Sequence, residues 1–290
     1  MKKLKIGLPK GSLQDFTFGL FKRAGYQLKA EERSYLLSTN DPELEISLIR
    51  AQEIPGYVEK GALDVGITGK DWILETEAKV KEIKELPYTK SGIGSVRLVI
   101  AVPKGSGIKK ISDLEGKSIA TEFVNLTQDY LKKKGVAAKV EFSWGATEIK
   151  AGKLTDAISE LTETGRTLAA HNLKIIETIL ESTTRLIANR NSFQDPWKRK
   201  KISNIALLLE GALLAEKKVG LKLNIEEKRL KKLLSVLPAL RKPTVSSLSE
   251  EGWCAVEVIV EKREVKDLIP RLKEVGGQGI VEYPLNKVIY

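Results

Sequence analysis

The sequence predicts an α/β fold in two lobes followed by a small α+β module, and three observations predict it. Short apolar runs of strand length alternate with amphipathic helical spacing along the first half, the arrangement that generates a sheet with crossover helices. The alternation restarts near Val96 after a break, so a second lobe begins there. Beyond Pro196 the chain turns helical, then ends strand, helix, glycine turn, strand. With a strand ahead of it, that ending is the order of a split βαβ module.

The elements follow in order. Residues 4–9 read as a strand, Lys10-Gly11-Ser12 as a turn, and residues 13–24 as a helix whose apolar face carries Leu13, Phe16, Leu20 and Phe21. Strands follow at 45–50 and 63–68, with helices at 52–60 and from 71 to 75, and a parallel sheet is expected. The second lobe opens with strand 96–103, loop 104–107, a short segment at 111–114 and strand 118–121. It continues through a helix near 127–134, where Thr127 is a candidate N-cap, a strand at 139–142, a helical turn near Ala151 and a strand at 156–161. After a loop at 164–167 come strands at 172–177 and 183–189, the second of which can return the chain to the first lobe. Helices are expected at 204–218 and 226–237, a linker at 238–243, a strand at 253–261, a helix at 265–274 and a strand at 280–283. The domain division is therefore 1–95, completed by about 183–210, for the first lobe; 96–182 for the second; and 211–290 for the C-terminal module.

Composition narrows the chemistry. With one cysteine and one histidine in 290 residues, neither an intrachain disulfide nor a Cys/His zinc site of three or four ligands is available. Cys254 sits in an apolar strand-like run and reads as core; His171, with no acid nearby in sequence to orient it, reads as a surface or loop residue. The net charge of +11 suits nucleic acid, an anionic surface or small polyanions. Basic residues are spread along the chain, with one local run at residues 197–201, read as a solvated surface segment, and aromatic residues are only 6%. A base-stacking platform has little material, and small polyphosphates fit better. No export signal is evident and no run approaches the roughly 18 apolar residues of a membrane span, so a soluble cytoplasmic protein without nucleic-acid or membrane partners is expected.

The most informative stretch runs from Thr155 to Leu168 and ends in Thr164-Gly165-Arg166-Thr167. A glycine turn whose backbone N–H groups converge, flanked by two threonine hydroxyls, an arginine and a following helix, suits a phosphate monoester. Glu160, four residues earlier, stands where a carboxylate could hold ribose hydroxyls or a magnesium ion. By spacing alone the loop is equally a plain structural turn.

An acid four residues before Thr-Gly-X-Thr resembles the phosphoribosyl pyrophosphate loop of phosphoribosyltransferases. The longer phrase, Gly145-Ala-Thr-Glu148 with Asp156-Ala-Ile and Thr164-Gly-Arg-Thr-Leu, resembles ATP phosphoribosyltransferase in particular. Leu8-Pro9-Lys10-Gly11-Ser12-Leu13, Arg50-Ala51-Gln52-Glu53-Ile54-Pro55-Gly56-Tyr57-Val58, Asp64-Val65-Gly66-Ile67-Thr68-Gly69-Lys70-Asp71 and Thr121-Glu122-Phe123 are similar to further motifs of that family. Two departures stand out, Ser12 where many members carry arginine and Glu160 where aspartate is usual. The end of the chain, residues 238–246 with Glu251-Gly-Trp253 and 276–280, resembles the regulatory domain of the long members.

The resemblance implies a two-lobed, periplasmic-binding-protein-like catalytic part and a ferredoxin-like (PII-like) C-terminal domain. It implies transfer of the phosphoribosyl group to N1 of ATP at the head of histidine biosynthesis, with inhibition by histidine. Lys10, Arg50 and Glu160 are the catalytic candidates. Asp156, Glu160, Thr164, Gly165, Arg166 and Thr167 are candidates for phosphoribosyl pyrophosphate, and Gly11, Ser12, Asp64, Gly69 and Thr121 for the ATP side of the cleft. Thr244 and Ser246 are candidates for histidine. Mg²⁺ is implied on the substrate phosphates, with Glu160 a further ligand, and dimers assembling into hexamers are implied. One rival comes from another class. Residues 98–120 also look like two-lobed solute-binding proteins, which bind without catalysis, although the missing export signal and the 164–167 loop speak against them. A nucleic-acid-binding regulator would want a helix-turn-helix, and none is seen.

Overall fold

The computed structural model describes residues 2–30, 35–238 and 243–290; most of the expected linker, 239–242, lies outside the described residues. The chain separates into two compact units, Met1–Gly19 with Tyr26–Ala206, and Leu20–Gly25 with Leu207–Tyr290.

From its start the chain runs β1 (Leu4–Lys10), α1 (Gln14–Ala24), β2 (Leu28–Ala30), β3 (Leu36–Thr39), β4 (Leu44–Arg50), α2 (Ile54–Glu59), β5 (Val65–Gly69), α3 (Lys70–Glu75), β6 (Lys81–Leu86) and the hairpin β7 (Tyr88–Thr89) and β8 (Gly92–Ile93). The second lobe comprises β9 (Val96–Pro103), β10 (Ser118–Thr121), α4 (Val124–Lys133), β11 (Lys139–Phe142), β12 (Ala157–Thr162), α5 (Arg166–Ala170) and β13 (Leu173–Ser182), with 3₁₀ turns at Ile111–Leu114 and Thr147–Ile149. Strand β14 (Thr184–Ala188) then enters the first sheet, whose order is β2-β3-β4-β1-β5-β14-β6; the second sheet is β11-β10-β12-β9-β13.

Both sheets are mixed, which corrects the parallel expectation. Strand β1 pairs parallel with β4 and β5, and β10 parallel with β11 and β12. However, β9 runs antiparallel to β12 and β13, and β14 antiparallel to β5 and β6. The returning strands reverse direction because each lobe is closed by chain that arrives from the other lobe. Strand β9 buries alternate residues on opposite faces, Ile100 and Val102 with Leu131 and Ile119, Val99 and Ala101 with Ile158 and Leu168. Burial of each such aliphatic side chain contributes about 1.5–3 kcal/mol, which fixes the register of the strand that carries Glu160 opposite Val99.

Two helix starts lie earlier than expected. Helix α6 spans Pro196–Glu216 rather than 204–218, because Asp195 accepts the Lys198 N–H at 3.0 Å and Pro196 occupies the first helical position, a strong start signal. The charge run 197–201 thus lies on a helix, and two of its lysines are engaged: Lys198 with Asp64 at 2.6 Å, Lys201 with Asp41 at 2.7 Å and Glu43 at 2.6 Å. Helix α4 starts at Val124, so Thr127 is not its N-cap but lies one turn in, donating its hydroxyl to Ser159 Oγ at 3.1 Å.

The second unit is a four-stranded antiparallel sheet, with β15 (Lys218–Glu226), α7 (Glu227–Val236), β16 (Thr244–Ser247), β17 (Trp253–Glu261), α8 (Val265–Glu274) and β18 (Gln278–Pro284) in the order β16-β17-β15-β18. This is the ferredoxin-like βαββαβ arrangement. Strand β15 occupies residues left between two expected helices. Its alternation Val219, Leu221, Leu223, Ile225 packs on Leu233, Leu268 and Leu272 of the helices, and Cys254 is buried in the same core.

Candidate active site

The carboxyl ends of β1, β4 and β5 face the cleft, the position at which open α/β sheets bind ligands. Lys10 ends β1 and Arg50 ends β4, and the two are register partners on adjacent parallel strands. Backbone pairing thereby places the Cα atoms of two cationic residues side by side. Lys10 holds its ammonium over the Tyr35 ring, 4.3 Å from the centroid. Gly69 ends β5, and a Cβ there would meet Asp71 Oδ1 at 2.2 Å, so only glycine lets that buried carboxylate fold back over the strand end.

From the second lobe comes β12, whose last turn of chain delivers Glu160 and then the loop 162–167. Gly165 has φ +76, a left-handed conformation that glycine adopts without penalty. Its N–H donates to Thr162 Oγ1 at 2.9 Å, and the Arg166 N–H reaches Thr164 Oγ1 at 3.4 Å. The following helix has only five residues, so anion binding here rests on turn amides, hydroxyls and Arg166 more than on a long helix dipole.

These parts line one cavity of about 1210 Å³, larger than the roughly 300–1,000 Å³ of an ordinary single-ligand pocket. Its walls carry the cations Lys10, Arg50, Lys90 and Arg166 against the carboxylates Glu53, Asp71, Glu122, Glu148, Glu160 and Glu163. Burial pushes Glu160 up to about 7, helped by the nearby charges of Glu122 and Glu148 and opposed by a hydrogen bond from Thr147. Glu122 is raised by burial as well, against the pull of Lys150 and Arg50. Asp71 is raised by burial and eased by Ser182 and the Trp72 N–H. Tyr88 is buried, its hydroxyl 2.6 Å from Thr17 Oγ1 and its ring stacked on Phe16 at 4.7 Å, and burial drives its phenol far upward.

Of the residues expected from sequence, Lys10, Gly11, Ser12, Arg50, Gly69, Glu160, Thr164, Arg166 and Thr167 line this cavity. Gly165 shapes the loop without lining it. Three others, Asp64, Asp156 and Thr121, do not line the cavity. Asp64 precedes β5, at the end opposite Gly69, and is buried among the Lys5 N–H, Ser192 and Lys198. Asp156 precedes β12 in the same way; it accepts the Ser118 N–H and hydroxyl, both at 2.9 Å, and these bonds hold its carboxyl below the usual range. Thr121 turns its hydroxyl to the Phe123 N–H at 2.9 Å; its neighbours Glu122 and Phe123 line the cavity instead. His171 is an exposed residue at the end of α5. Sequence reasoning missed Tyr35, Trp72, Tyr88, Glu163 and residues 182–184 of the cavity wall.

In the second unit, Thr244 and Ser246 are exposed on the outer strand β16, opposite Glu257 and Ala255. Among the described residues no three His, Cys, Asp or Glu side chains gather closely enough to hold a metal ion by themselves, and no helix is long and apolar enough to cross a membrane.

Comparison with known proteins agrees along the whole chain. The family model described as ATP phosphoribosyltransferase matches residues 50–211, and that of its C-terminal domain matches residues 215–287. The ATP phosphoribosyltransferase of Pelotomaculum thermopropionicum is 58% identical over 287 residues, 99% of each chain. That of Thermodesulfovibrio yellowstonii is 57% identical over 288 residues, again 99% of each. Among solved structures, the ATP phosphoribosyl transferase (HisG:HisZ) complex from Thermotoga maritima contains a chain that is 29% identical, with a TM-score of 0.61 over 71% of this chain and 98% of that one.

Proposed function

The chain belongs to the ATP phosphoribosyltransferase family, and from that premise we propose how its cleft performs the reaction. The activity is transfer of the 5-phosphoribosyl group from phosphoribosyl pyrophosphate to N1 of the adenine of ATP, the first step of histidine biosynthesis. The adenine N1 lone pair attacks the anomeric carbon, the carbon–oxygen bond to pyrophosphate breaks with its electron pair leaving on pyrophosphate, and configuration inverts. No covalent enzyme intermediate is needed, and adenine N1 needs no base to remove a proton before it attacks.

The observation that carries the reading is the pairing, across one cavity large enough for two substrates, of the Lys10–Arg50 strand ends with the Glu160 to Thr167 turn. In this reading Thr164, Arg166, Thr167 and the turn amides hold the 5-phosphate, and Glu160 holds ribose hydroxyls. Lys10 and Arg50 face the charge that develops on the departing pyrophosphate, where preorganised cations act most strongly. Gly11, Ser12 and Gly69 border the ATP side. Catalysis is then positioning and charge stabilisation.

Among the described residues, six wall carboxylates face four cations, an unusual lining for two polyanions unless they arrive with counter-cations. That excess fits Mg²⁺ carried on the substrate phosphates, with Glu160 and Glu122 the side chains that would complete its ligands; the ion supplies neutralisation of phosphate charge. The C-terminal module, of a type matched by the family's own C-terminal domain, is assigned to histidine binding through Thr244 and Ser246, and hence to feedback inhibition. The protein is assigned to homo-oligomers, dimers that build hexamers, and to the cytoplasm.

The test is formation of phosphoribosyl-ATP, followed by its absorbance, from ATP, phosphoribosyl pyrophosphate and Mg²⁺, with and without histidine. Product that falls on addition of histidine is the expected result. Well-folded protein that binds a nucleotide yet yields no product overturns the catalytic reading in favour of a two-lobed binder.

A further inference from the structure

Helix α4 begins without a cap of its own. Its first turn presents N–H groups that no intrahelical carbonyl satisfies, and the residue before it, Phe123, makes no side-chain capping bond. The missing acceptor comes from the other lobe. Glu75, the last residue of α3, accepts the Asn125 N–H through Oε1 at 3.0 Å and the Leu126 N–H through Oε2 at 3.0 Å, while the Asn125 side chain donates to the Glu75 carbonyl at 2.8 Å. The Val124 N–H adds to the same carboxylate, which burial nonetheless holds above its ordinary range. A negative charge at this end also complements the helix dipole.

Two more contacts of α3 cross between the lobes beside this one. Trp72 packs on Phe123 with ring centroids 4.3 Å apart. The Asp71 N–H reaches Ser182 Oγ at 3.0 Å, at the end of β13 in the second sheet. All three contacts surround the same piece of wall, because Glu122 and Phe123, immediately before α4, line the cavity together with Trp72 and Ser182.

From this geometry we propose that Glu75 is a positioning residue, a cross-lobe cap that fixes the start of α4 and with it Glu122 and Phe123 in the cleft wall. It touches no substrate; its effect passes through the wall it holds. A cap supplied from the opposite lobe also sets how far the two walls stand apart, which a cap within the same lobe could not do. The kinetic part of the proposal rests on the phosphoribosyl-transfer reading, whereas the capping part stands without it.

The test uses the full chain with Glu75→Ala and Glu75→Gln. Amide hydrogen exchange of residues 124–127 in unliganded protein is expected to quicken about tenfold in the alanine variant, the size of effect that loss of a helix cap produces. It should quicken less in the glutamine variant, which keeps an acceptor oxygen. The KM values for both substrates should rise about tenfold in the alanine variant, in line with the same loss of the cap, while kcat changes far less, and the glutamine variant should again lie between. Unchanged exchange in folded Glu75→Ala overturns the cap. Quickened exchange with wild-type KM values overturns the positioning role. Absence of product from the wild-type protein would strike the reaction reading alone, since the exchange experiment reads the cap independently; should the alanine variant not fold, the glutamine variant carries both readouts.

Discussion

The two walls of the cleft reach it by different constructions. The first lobe offers cations, Lys10 and Arg50, on the ends of paired parallel strands, so their spacing is set by a β-ladder. The second lobe offers carboxylates and a turn: Glu122, Glu148 and Glu160 converge from three separate elements, and the 162–167 loop is shaped by Gly165 and its own threonine hydroxyls. A ladder keeps the two backbone positions neighbours whether or not ligand is present. A buried carboxylate does not rest so easily, and burial, with smaller contributions from the charges of Glu122 and Glu148, raises Glu160 to about 7. The contrast suggests a division of labour in which one wall is prepared for the leaving group and the other reaches its working charge state only when cationic groups or metal-bound phosphates arrive.

The sharpest way to break that comparison is to remove the ladder's charges. Lys10→Ala or Arg50→Ala should lower kcat/KM by about 10²–10³-fold, the range found when one preorganised charge-stabilising group is lost. Because the two are register neighbours, the double variant should lose less than the product of the singles. Fully multiplicative losses, measured by the absorbance assay, would show two independent sites rather than one cationic wall.

Glu160→Gln tests the other wall. Loss of charge-assisted hydrogen bonds to ribose hydroxyls should cost about 1.5–3 kcal/mol in kcat/KM at pH 8. In the wild type, kcat/KM should fall as pH drops through about 7, where Glu160 gains a proton, and the glutamine variant should lose that acid limb. Stability has the opposite sign. A carboxyl whose folded pKa is raised binds protons more readily in the native state, so its contribution is most favourable at low pH and is lost as pH rises from the ordinary carboxylate range to about 7. Thermal unfolding of unliganded protein should therefore show Glu160→Gln stabilised relative to wild type at pH 8 and closer to it at pH 5. Parallel curves at both pH values would mean that the acid is not under strain.

Gly165→Ala probes the turn. A Cβ there would have room, its nearest neighbour being Ile175 Cδ1 at 3.6 Å, so the cost is the left-handed backbone, about 1–2 kcal/mol. The expected result is a higher KM for phosphoribosyl pyrophosphate with little change in the KM for ATP. Equal changes in both would detach the turn from the 5-phosphate.

Much of this was legible before any coordinates. Apolar runs with clear ends gave the bounds of β9, β10 and β11, and the Thr-Gly-Arg-Thr phrase pointed to the loop that now lines the cleft. What failed has physical causes. The edge strand β2 and its neighbour β3 are short, and β6, the other edge, is rich in charge, so none carries a long apolar run. The antiparallel pairing of β9 with β12 joins residues far apart in sequence, from Ile158 with Ala101 to Thr162 with Arg97, and no local pattern encodes direction. Glu122, Trp72 and Tyr88 become wall residues only when two lobes meet. Asp64 and Asp156 stand outside the cavity lining for a reason already legible in the sequence. Each precedes a strand whose far end reaches the cleft, and five or six residues of strand span roughly 16–20 Å, which sets these carboxylates that far from the strand ends in the cavity wall. Asp64→Asn should accordingly lower the melting temperature, because Lys198 loses its charged partner, while leaving both KM values in place. A KM effect from that variant would restore the sequence reading.

The smallest effect expected concerns the C-terminal unit, where the contrast with the cleft is greatest. The cleft is concave and charged, whereas Thr244 and Ser246 stand exposed on an outer strand, beside Glu257 and Ala255 of β17. If they hold histidine, each contributes a hydroxyl hydrogen bond worth about 0.5–1.5 kcal/mol net. Thr244→Ala or Ser246→Ala should then raise the histidine concentration for half-inhibition about three- to tenfold, in keeping with that energy, with uninhibited activity unchanged. Because the outer strand contributes little to the core, loss of a hydroxyl there should not disturb folding, and a change in inhibition alone would separate recognition of the inhibitor from the chemistry of the cleft. Wild-type inhibition in the double variant would move histidine recognition off this strand, and activity indifferent to histidine in the parent protein would remove the regulatory assignment altogether.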